Sequence, residues 1–182
     1  MGIETHVESA IGKIEPIADS NPVILIDGRA GAGKSEFATA LQNELFRALE
    51  QAPRVISMEE LYSGWDGLND GALRLIREIL IPLQKTNEAF WYPYDWEQQA
   101  ISENLLSFRK QTPLIIEGCG ALSLASSELA DFRIWIDAHE DIRKQRFSER
   151  DRGLFDKYFD SWAAQEDAFY STHRSAELAD LR

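Results

Sequence analysis

The stretch Val23-Ile24-Leu25-Ile26-Asp27-Gly28-Arg29-Ala30-Gly31-Ala32-Gly33-Lys34-Ser35 decides the fold. Its opening run is apolar, rich in β-branched residues and without polar alternation. Such a run reads as a strand buried on both faces, as in a parallel sheet. A glycine-dense loop follows. Glycine has no Cβ, so the backbone can turn its N–H groups inward around an anion. Beyond the loop Phe37, Leu41, Leu45 and Leu49 recur every four residues, which predicts a helix with one apolar stripe. Strand, loop and helix in that order set unpaired N–H groups and a positive dipole end at the strand's C-terminal edge.

Gly28-x-x-x-x-Gly33-Lys34-Ser35 fits the Walker A pattern. Lys34 supplies a compact positive charge to the β and γ phosphates. The Ser35 hydroxyl suits Mg²⁺, a hard cation that prefers oxygen. Gly28, Arg29, Ala30, Gly31, Ala32, Gly33, Lys34 and Ser35 are therefore the expected binding loop for ATP and Mg²⁺. The bland alternative is a flexible turn with an incidental lysine. The buried strand before the loop and the amphipathic helix after it speak against that.

Outward from this unit, Ile3, Val7, Ala10, Ile11 and Ile14 predict an amphipathic helix over about 3–18. Arg54-Val55-Ile56-Ser57, Pro113-Leu114-Ile115-Ile116-Glu117 and Arg133-Ile134-Trp135-Ile136-Asp137 read as further strands. Residues 59–71 read as loop, and 72–81 as a short helix stopped by Pro82. Ile101, Leu105 and Phe108 predict a helix over 97–110. A basic helix is expected from His139 to about Arg152. Phe155, Tyr158, Phe159, Trp162 and Phe169 suggest a last long helix. A fifth strand fits only near 178–182. Strands alternating with helices predict an α/β, three-layer P-loop NTPase fold, with a parallel sheet of four to five strands and helices on both faces. With 182 residues and no repeat or linker, the chain reads as one domain, 1–182, with a helical lid at about 139–155.

Lys and Arg number 19 against 31 Asp and Glu, a net charge of −12. Such a surface repels phosphate backbones and anionic bilayers, so neither nucleic acid nor membrane is an expected partner. Hydrophobic residues make up 44%, enough for a sizeable core. Cys119 is the one cysteine, which fits a reducing cytoplasm. The opening MGIETHVESAIGKIEP carries acids and no long apolar run, unlike a secretory signal. No stretch nears the about 18 apolar residues of a membrane span. His6, His139 and His173 are scattered, without zinc-site spacing.

Absences narrow the chemistry. There is no Asn-Lys-x-Asp run of a guanine-specific GTPase and no Leu-Ser-Gly-Gly run of a transporter ATPase. The strand at 113–117 ends in a lone acid, Glu117-Gly118, rather than an acid pair. A motor ATPase uses the second acid to activate water, whereas a kinase must keep water out.

Four stretches in order resemble the small P-loop kinases of the uridine kinase and phosphoribulokinase group. They are the glycine loop, Met58-Glu59-Glu60-Leu61-Tyr62, Ile115-Ile116-Glu117-Gly118, and Arg143, Arg146, Arg150 and Asp151 in the basic helix. Together they span about two thirds of the chain. The resemblance implies transfer of the γ-phosphoryl group of ATP·Mg²⁺ to a hydroxyl of a small molecule. A nucleoside or nucleotide acceptor comes first, a sugar or vitamin-like alcohol next. In that group an Asp three residues before a Tyr serves as base for the acceptor hydroxyl. Here Glu59 stands there, with Tyr62 as the matching Tyr, so the carboxylate is kept but moved by about one methylene. Two other classes stay open: a regulatory module that binds nucleotide without an acceptor, and an ATPase coupled to a partner protein.

The individual candidates follow. Glu59 or Glu60, beyond a strand's C-terminal end, would lie beside the phosphate loop and could take a proton or hold Mg²⁺ through water. Glu117 closes an apolar strand, where an unpaired acid is costly, and Mg²⁺ would satisfy it; Asp27 is a weaker rival. Five bases and two acids lie between Arg143 and Arg152, and Arg143, Arg146 and Arg150 share a helix face suited to phosphates. A solvated face pairing with Glu149 and Asp151 is the plain alternative. The aromatics from Trp91 to Trp96, with Tyr62 and Trp65, could stack a ring or simply pack, and Asp95 could bond ring hydroxyls.

Overall fold

The computed structural model describes residues 3–182. In chain order its strands are β1 (Val23–Asp27), β2 (Arg54–Ser57), β3 (Glu88–Trp91), β4 (Tyr94–Asp95), β5 (Ala100–Ile101), β6 (Leu106–Arg109), β7 (Leu114–Glu117) and β8 (Phe132–Trp135). The helices are α1 (Ile3–Ile14), α2 (Lys34–Leu49), α3 (Leu68–Arg74), α4 (Ile81–Thr86), α5 (Leu124–Ser127), α6 (Glu140–Arg150), α7 (Phe159–His173) and α8 (Ser175–Leu178). The glycine-loop strand β1 sits inside a four-stranded parallel sheet of order β2-β7-β1-β8. Every residue of β1 is buried, which is why its sequence shows no alternation.

Alternate residues of each strand still face different layers. Ile24, Ile26, Ile115, Phe132 and Ile134 pack with Val7, Ala10 and Ile14 of α1 and Phe37, Leu41 and Leu45 of α2. On the opposite face Leu25, Ile56, Leu114 and Ile116 pack with Leu68, Leu75, Ile79, Trp162 and Phe169. The result is the predicted three-layer α/β architecture. Beyond β8 the fifth strand is reduced to one parallel bridge between Ile134 and Leu181. There the Trp135 N–H donates to the Leu181 carbonyl at 2.9 Å.

Three expectations are corrected. Residues 97–110 are not a helix: β5 pairs antiparallel with β4, and β6 with β3. Leu106, Ser107, Phe108 and Arg109 alternate between half-buried and exposed, the period of a strand. The spacing of Ile101 and Leu105 mimicked a helix stripe, yet both side chains are exposed. Second, Pro82 does not stop the helix. The chain runs helical from α3 through a π turn, Leu75–Leu80, into α4. The wider turn relieves the clash between a proline ring and the preceding turn's carbonyl. Third, the first helix ends at Ile14, and Glu15–Ser20 continues as 3₁₀ with Pro16 near its start.

Parallel pairing brings the C-terminal ends of β1, β2 and β7 to one edge. Each opens there into a segment that the sequence singled out: the glycine loop, Met58–Glu60 and Gly118-Cys119. Among the described residues no helix is long and apolar enough to cross a membrane.

Candidate active site

The glycine loop needs its glycines. Gly28, Gly31 and Gly33 all have positive φ, at 148°, 77° and 103°. A Cβ on Gly31 would stand 2.2 Å from the Arg143 carbonyl oxygen, and one on Gly28 would stand 2.0 Å from that of Ile136. Gly31→Ala should therefore cost about 2 kcal/mol or more through strain. A lowered Tm in circular dichroism, together with weakened ATP binding, is the expected result.

Behind the loop, Asp27 is fully buried. Its carboxylate accepts the N–H groups of Gly28 (2.6 Å), Gly120 (3.0 Å) and Leu122 (2.8 Å) and the Tyr170 hydroxyl (2.8 Å). These bonds clamp the end of β1 to the loop after β7 and to α7. They also occupy the carboxylate, which leaves Asp27 unsuited to the metal role weighed above. Burial pushes Asp27 from 3.8 up to about 6, against the lowering effect of its hydrogen bonds. Because the folded value lies above the unfolded one, the native state binds the extra proton between about 4 and 6. Asp27's contribution to stability should thus fall as pH rises through that window. A carboxyl ¹³C titration with its midpoint near 6 would check it; a midpoint near 4 would contradict it.

Lys34 opens α2 and is buried. Its Nζ donates to the Arg29 carbonyl at 3.0 Å and to Cys119 Sγ at 3.3 Å. Burial works against its charge, but the interaction with Cys119 first, and then the carboxylates of Asp27, Glu117 and Glu166, outweigh this and hold it above the ordinary lysine range. The Ser35 hydroxyl donates to Glu117 Oε2 at 3.2 Å. A hydroxyl and a carboxylate oxygen side by side form a hard donor set that fits Mg²⁺. Among the described residues no cluster of three His, Cys, Asp or Glu side chains could hold a metal by itself. Waters and a ligand's oxygens would supply the remaining positions.

Glu59 and Glu60 part ways. The Glu60 carboxylate accepts the indole N–H of Trp91, which is buried in the core. Glu59 lines the cleft, and its Oε1 accepts a bond from Arg150 at 2.8 Å. The Trp96 indole donates to the Glu59 carbonyl at 3.0 Å. On α6 the three arginines also divide. Arg143 is buried, and its guanidinium reaches the Ala30 carbonyl at 3.4 Å, bracing the back of the loop. Arg146 donates to the Ala32 carbonyl at 3.3 Å, and Arg150 spans Glu59 and Asp151. Only Arg146 and Arg150 of these three line the cleft.

One cleft of about 610 Å³ collects Lys34, Ser35, Glu117, Glu59, Arg146 and Arg150. Trp65, Trp96, Phe147 and Phe155 also line it, beside the polar Glu36, Ser57 and Asp151. Of the aromatic run from Trp91 to Trp96, Trp96 alone reaches it. Sequence reasoning missed Glu166, on α7. Its Oε1 accepts the Ala30 N–H at 2.6 Å and the Cys119 thiol at 3.3 Å. Its Oε2 has no hydrogen bond and lies 3.6 Å from Arg29. Burial, chiefly, pushes the Cys119 thiol up to about 12, so it stays protonated.

No protein-family model matches the chain, and no curated protein matches it. Solved structures do. A possible uridine kinase from Bacillus stearothermophilus superposes with a TM-score of 0.72 at 19% identity, over 100% of this chain and 98% of that one. A structure provisionally assigned as a fructose transport system kinase, from Silicibacter sp. TM1040, gives 0.67 at 17% identity, over 100% and 97%. D-glycerate 3-kinase from Cryptococcus neoformans var. grubii gives 0.51 at 9% identity, over 84% and 79%. At these identities the likeness shows the fold: the chain has the architecture these kinase structures share.

Proposed function

We propose that this chain is a kinase that transfers the γ-phosphoryl group of ATP to a hydroxyl of a small molecule, with Mg²⁺ as cofactor. The observation that carries this is the gathering of phosphate loop, Ser35–Glu117 pair, Glu59 and two arginines around one cleft. Backbone N–H groups of the loop cradle the phosphates, and Lys34 neutralises their charge. Ser35 and Glu117 would hold Mg²⁺, which when bound offsets the negative charge of the phosphate oxygens. Glu59 takes the acceptor's hydroxyl proton as the acceptor oxygen bonds to the γ-phosphorus. The bond from that phosphorus to the bridging oxygen breaks, and ADP leaves. Arg146 and Arg150 cover the transferring group, with 139–155 acting as the lid of a single domain. A nucleoside, a nucleotide or a sugar-like alcohol is the acceptor class, and the cytoplasm, where ATP is supplied, is the proposed compartment.

The lone acid ending β7 and the aromatic-walled cleft beside Glu59 favour a small acceptor over water. An ADP-release assay over a metabolite panel, with Lys34→Ala as blank, tests the proposal. Turnover that depends on one class of acceptor is expected. Tight ATP binding with no acceptor-dependent turnover would overturn it in favour of a regulatory module. Hydrolysis raised only by an added protein would favour a partner-coupled ATPase.

A further inference from the structure

Three carboxylates act on the buried Lys34 ammonium: Asp27, Glu117 and Glu166. Their charges are compensated unequally. Asp27 accepts three backbone N–H groups and the Tyr170 hydroxyl. Glu117 lines the cleft beside Ser35, where a bound Mg²⁺ would offset its charge. Glu166 has neither provision. It is 1% exposed, and both of its donors, the Ala30 N–H at 2.6 Å and the Cys119 thiol at 3.3 Å, meet Oε1. A thiol is a weak donor. Oε2 makes no hydrogen bond. Arg29 stands 3.6 Å from Oε2, but its other terminal nitrogen is drawn to Asp167 at 2.6 Å. A buried charge with half of its accepting capacity unused costs stability.

The transfer step gives Glu166 no part, yet its position gives it an effect. Ala30, whose N–H it holds, lines the cleft. So does Cys119, whose sulfur stands between Glu166 and the Lys34 ammonium. An anion placed there, out of water, opposes phosphates in the loop, because little solvent intervenes to screen it. It also offsets part of the charge that Lys34 offers them. The same carboxylate ties α7 to the loop through Ala30, and a tie alone would explain its burial. The two roles predict opposite signs. Losing a tie weakens the loop's hold on phosphates, whereas losing an opposing charge strengthens it.

We infer that Glu166 sets the nucleotide affinity of the phosphate loop: its buried, half-compensated charge weakens the hold on nucleotide phosphates, so that bound nucleotide exchanges rather than staying in the loop. Glu166 is a positioning residue that acts through Lys34 and the Ala30 amide, not a group that touches the nucleotide. The inference rests on the reading of the loop as a nucleotide site and on nothing about the acceptor. It also assigns the cost of the orphaned oxygen: stability is given up for exchange.

The test uses the full chain with Mg²⁺, and calorimetry with ADP and with a slowly hydrolysed ATP analogue. Glu166→Gln keeps the volume and an oxygen for the Ala30 N–H but removes the charge. It should bind both nucleotides about three- to tenfold more tightly, the scale of one poorly screened charge. Its Tm by circular dichroism should stay level or rise, because a neutral amide is cheaper to bury than a carboxylate. Glu8→Gln, on the exposed side of α1, makes the same change in net charge and should leave both affinities within twofold, since water and salt screen it. Unchanged or weaker binding by Glu166→Gln overturns the inference, and so does an equal gain in Glu8→Gln. A Glu166→Gln chain that fails to fold, or whose Tm falls by more than about 4 °C, overturns it as well, because the charge would then serve the fold. The readings separate. An unaltered chain that binds neither nucleotide sinks both this inference and the kinase reading. Nucleotide binding that Glu166→Gln tightens, with no transfer to any acceptor, sinks the kinase reading alone. Acceptor-dependent transfer with no tightening sinks this inference alone.

Discussion

Lys34→Ala should lower acceptor-dependent ADP release by about 10³-fold or more, the upper range for losing one preorganised donor to a transferring group. The environment of Lys34 argues for the top of that range. The ammonium is buried among Asp27, Glu117 and Glu166, and its charge is what lets a polyanion approach three carboxylates. Removing it leaves the charge of those carboxylates, of which Glu117 alone lines the cleft, uncompensated beneath the phosphates. Both ATP affinity and turnover should therefore fall, rather than turnover alone. Lys34→Arg should not rescue activity, because a planar guanidinium does not fit a site shaped for a compact ammonium between the Arg29 carbonyl and Cys119 Sγ. Circular dichroism would verify that each variant folds. Turnover within tenfold of the unaltered protein would remove Lys34 from the chemistry.

What made this centre legible is local. A buried strand, glycines at forced φ and a helix start all lie within thirteen consecutive residues, Val23 to Ser35. Each part constrains its neighbour, so the pattern carries its own context. Glu117 and Glu59 were legible for a related reason: both stand where a strand of a parallel sheet reaches its C-terminal edge. The choice between Glu59 and Glu60 was not legible. Neighbours in sequence, they separate only when the 3₁₀ turn Met58–Glu60 sends one carboxylate to Arg150 and the other to Trp91. Glu166 was hidden differently. On α7 it is one acid among many, and only folding buries it against Ala30 and Cys119. The hairpins at 88–109 escaped because helical and alternating spacings overlap in short apolar segments. Arg143 had the right helical phase for the cleft, but α6 lies so close to Gly31 that this arginine is trapped behind the loop. The net charge of −12 likewise hid an uneven distribution. Lys34, Arg146 and Arg150 gather at the glycine loop, and Glu59 and Glu117 line the same cleft.

The pairing of Glu59 with Arg150 sets up the second large effect. While Arg150 holds Glu59 Oε1 at 2.8 Å, that oxygen is not open to an acceptor hydroxyl until the arginine leaves. Phosphates in the loop would offer Arg150 better partners, drawing it from Glu59 and releasing the base as the nucleotide arrives. Both side chains are about half-exposed, at 48% and 60%, so the ion pair itself contributes little to stability and is free to exchange. Glu59→Gln keeps the size of the side chain and removes its basicity. It should lower kcat by about 10²-fold or more, the scale of lost general-base catalysis, with ATP affinity nearly intact. Glu60→Gln should leave kcat within a few fold, because its carboxylate is turned to Trp91 and away from the cleft. Acceptor-dependent kinetics of the two variants side by side give the measurement. If Glu59→Gln raised KM for ATP without touching kcat, the residue would be a tether for Arg150 and not a base. If Glu60→Gln carried the loss instead, the turn Met58–Glu60 would have to rearrange on binding, reversing the division of labour between the two acids.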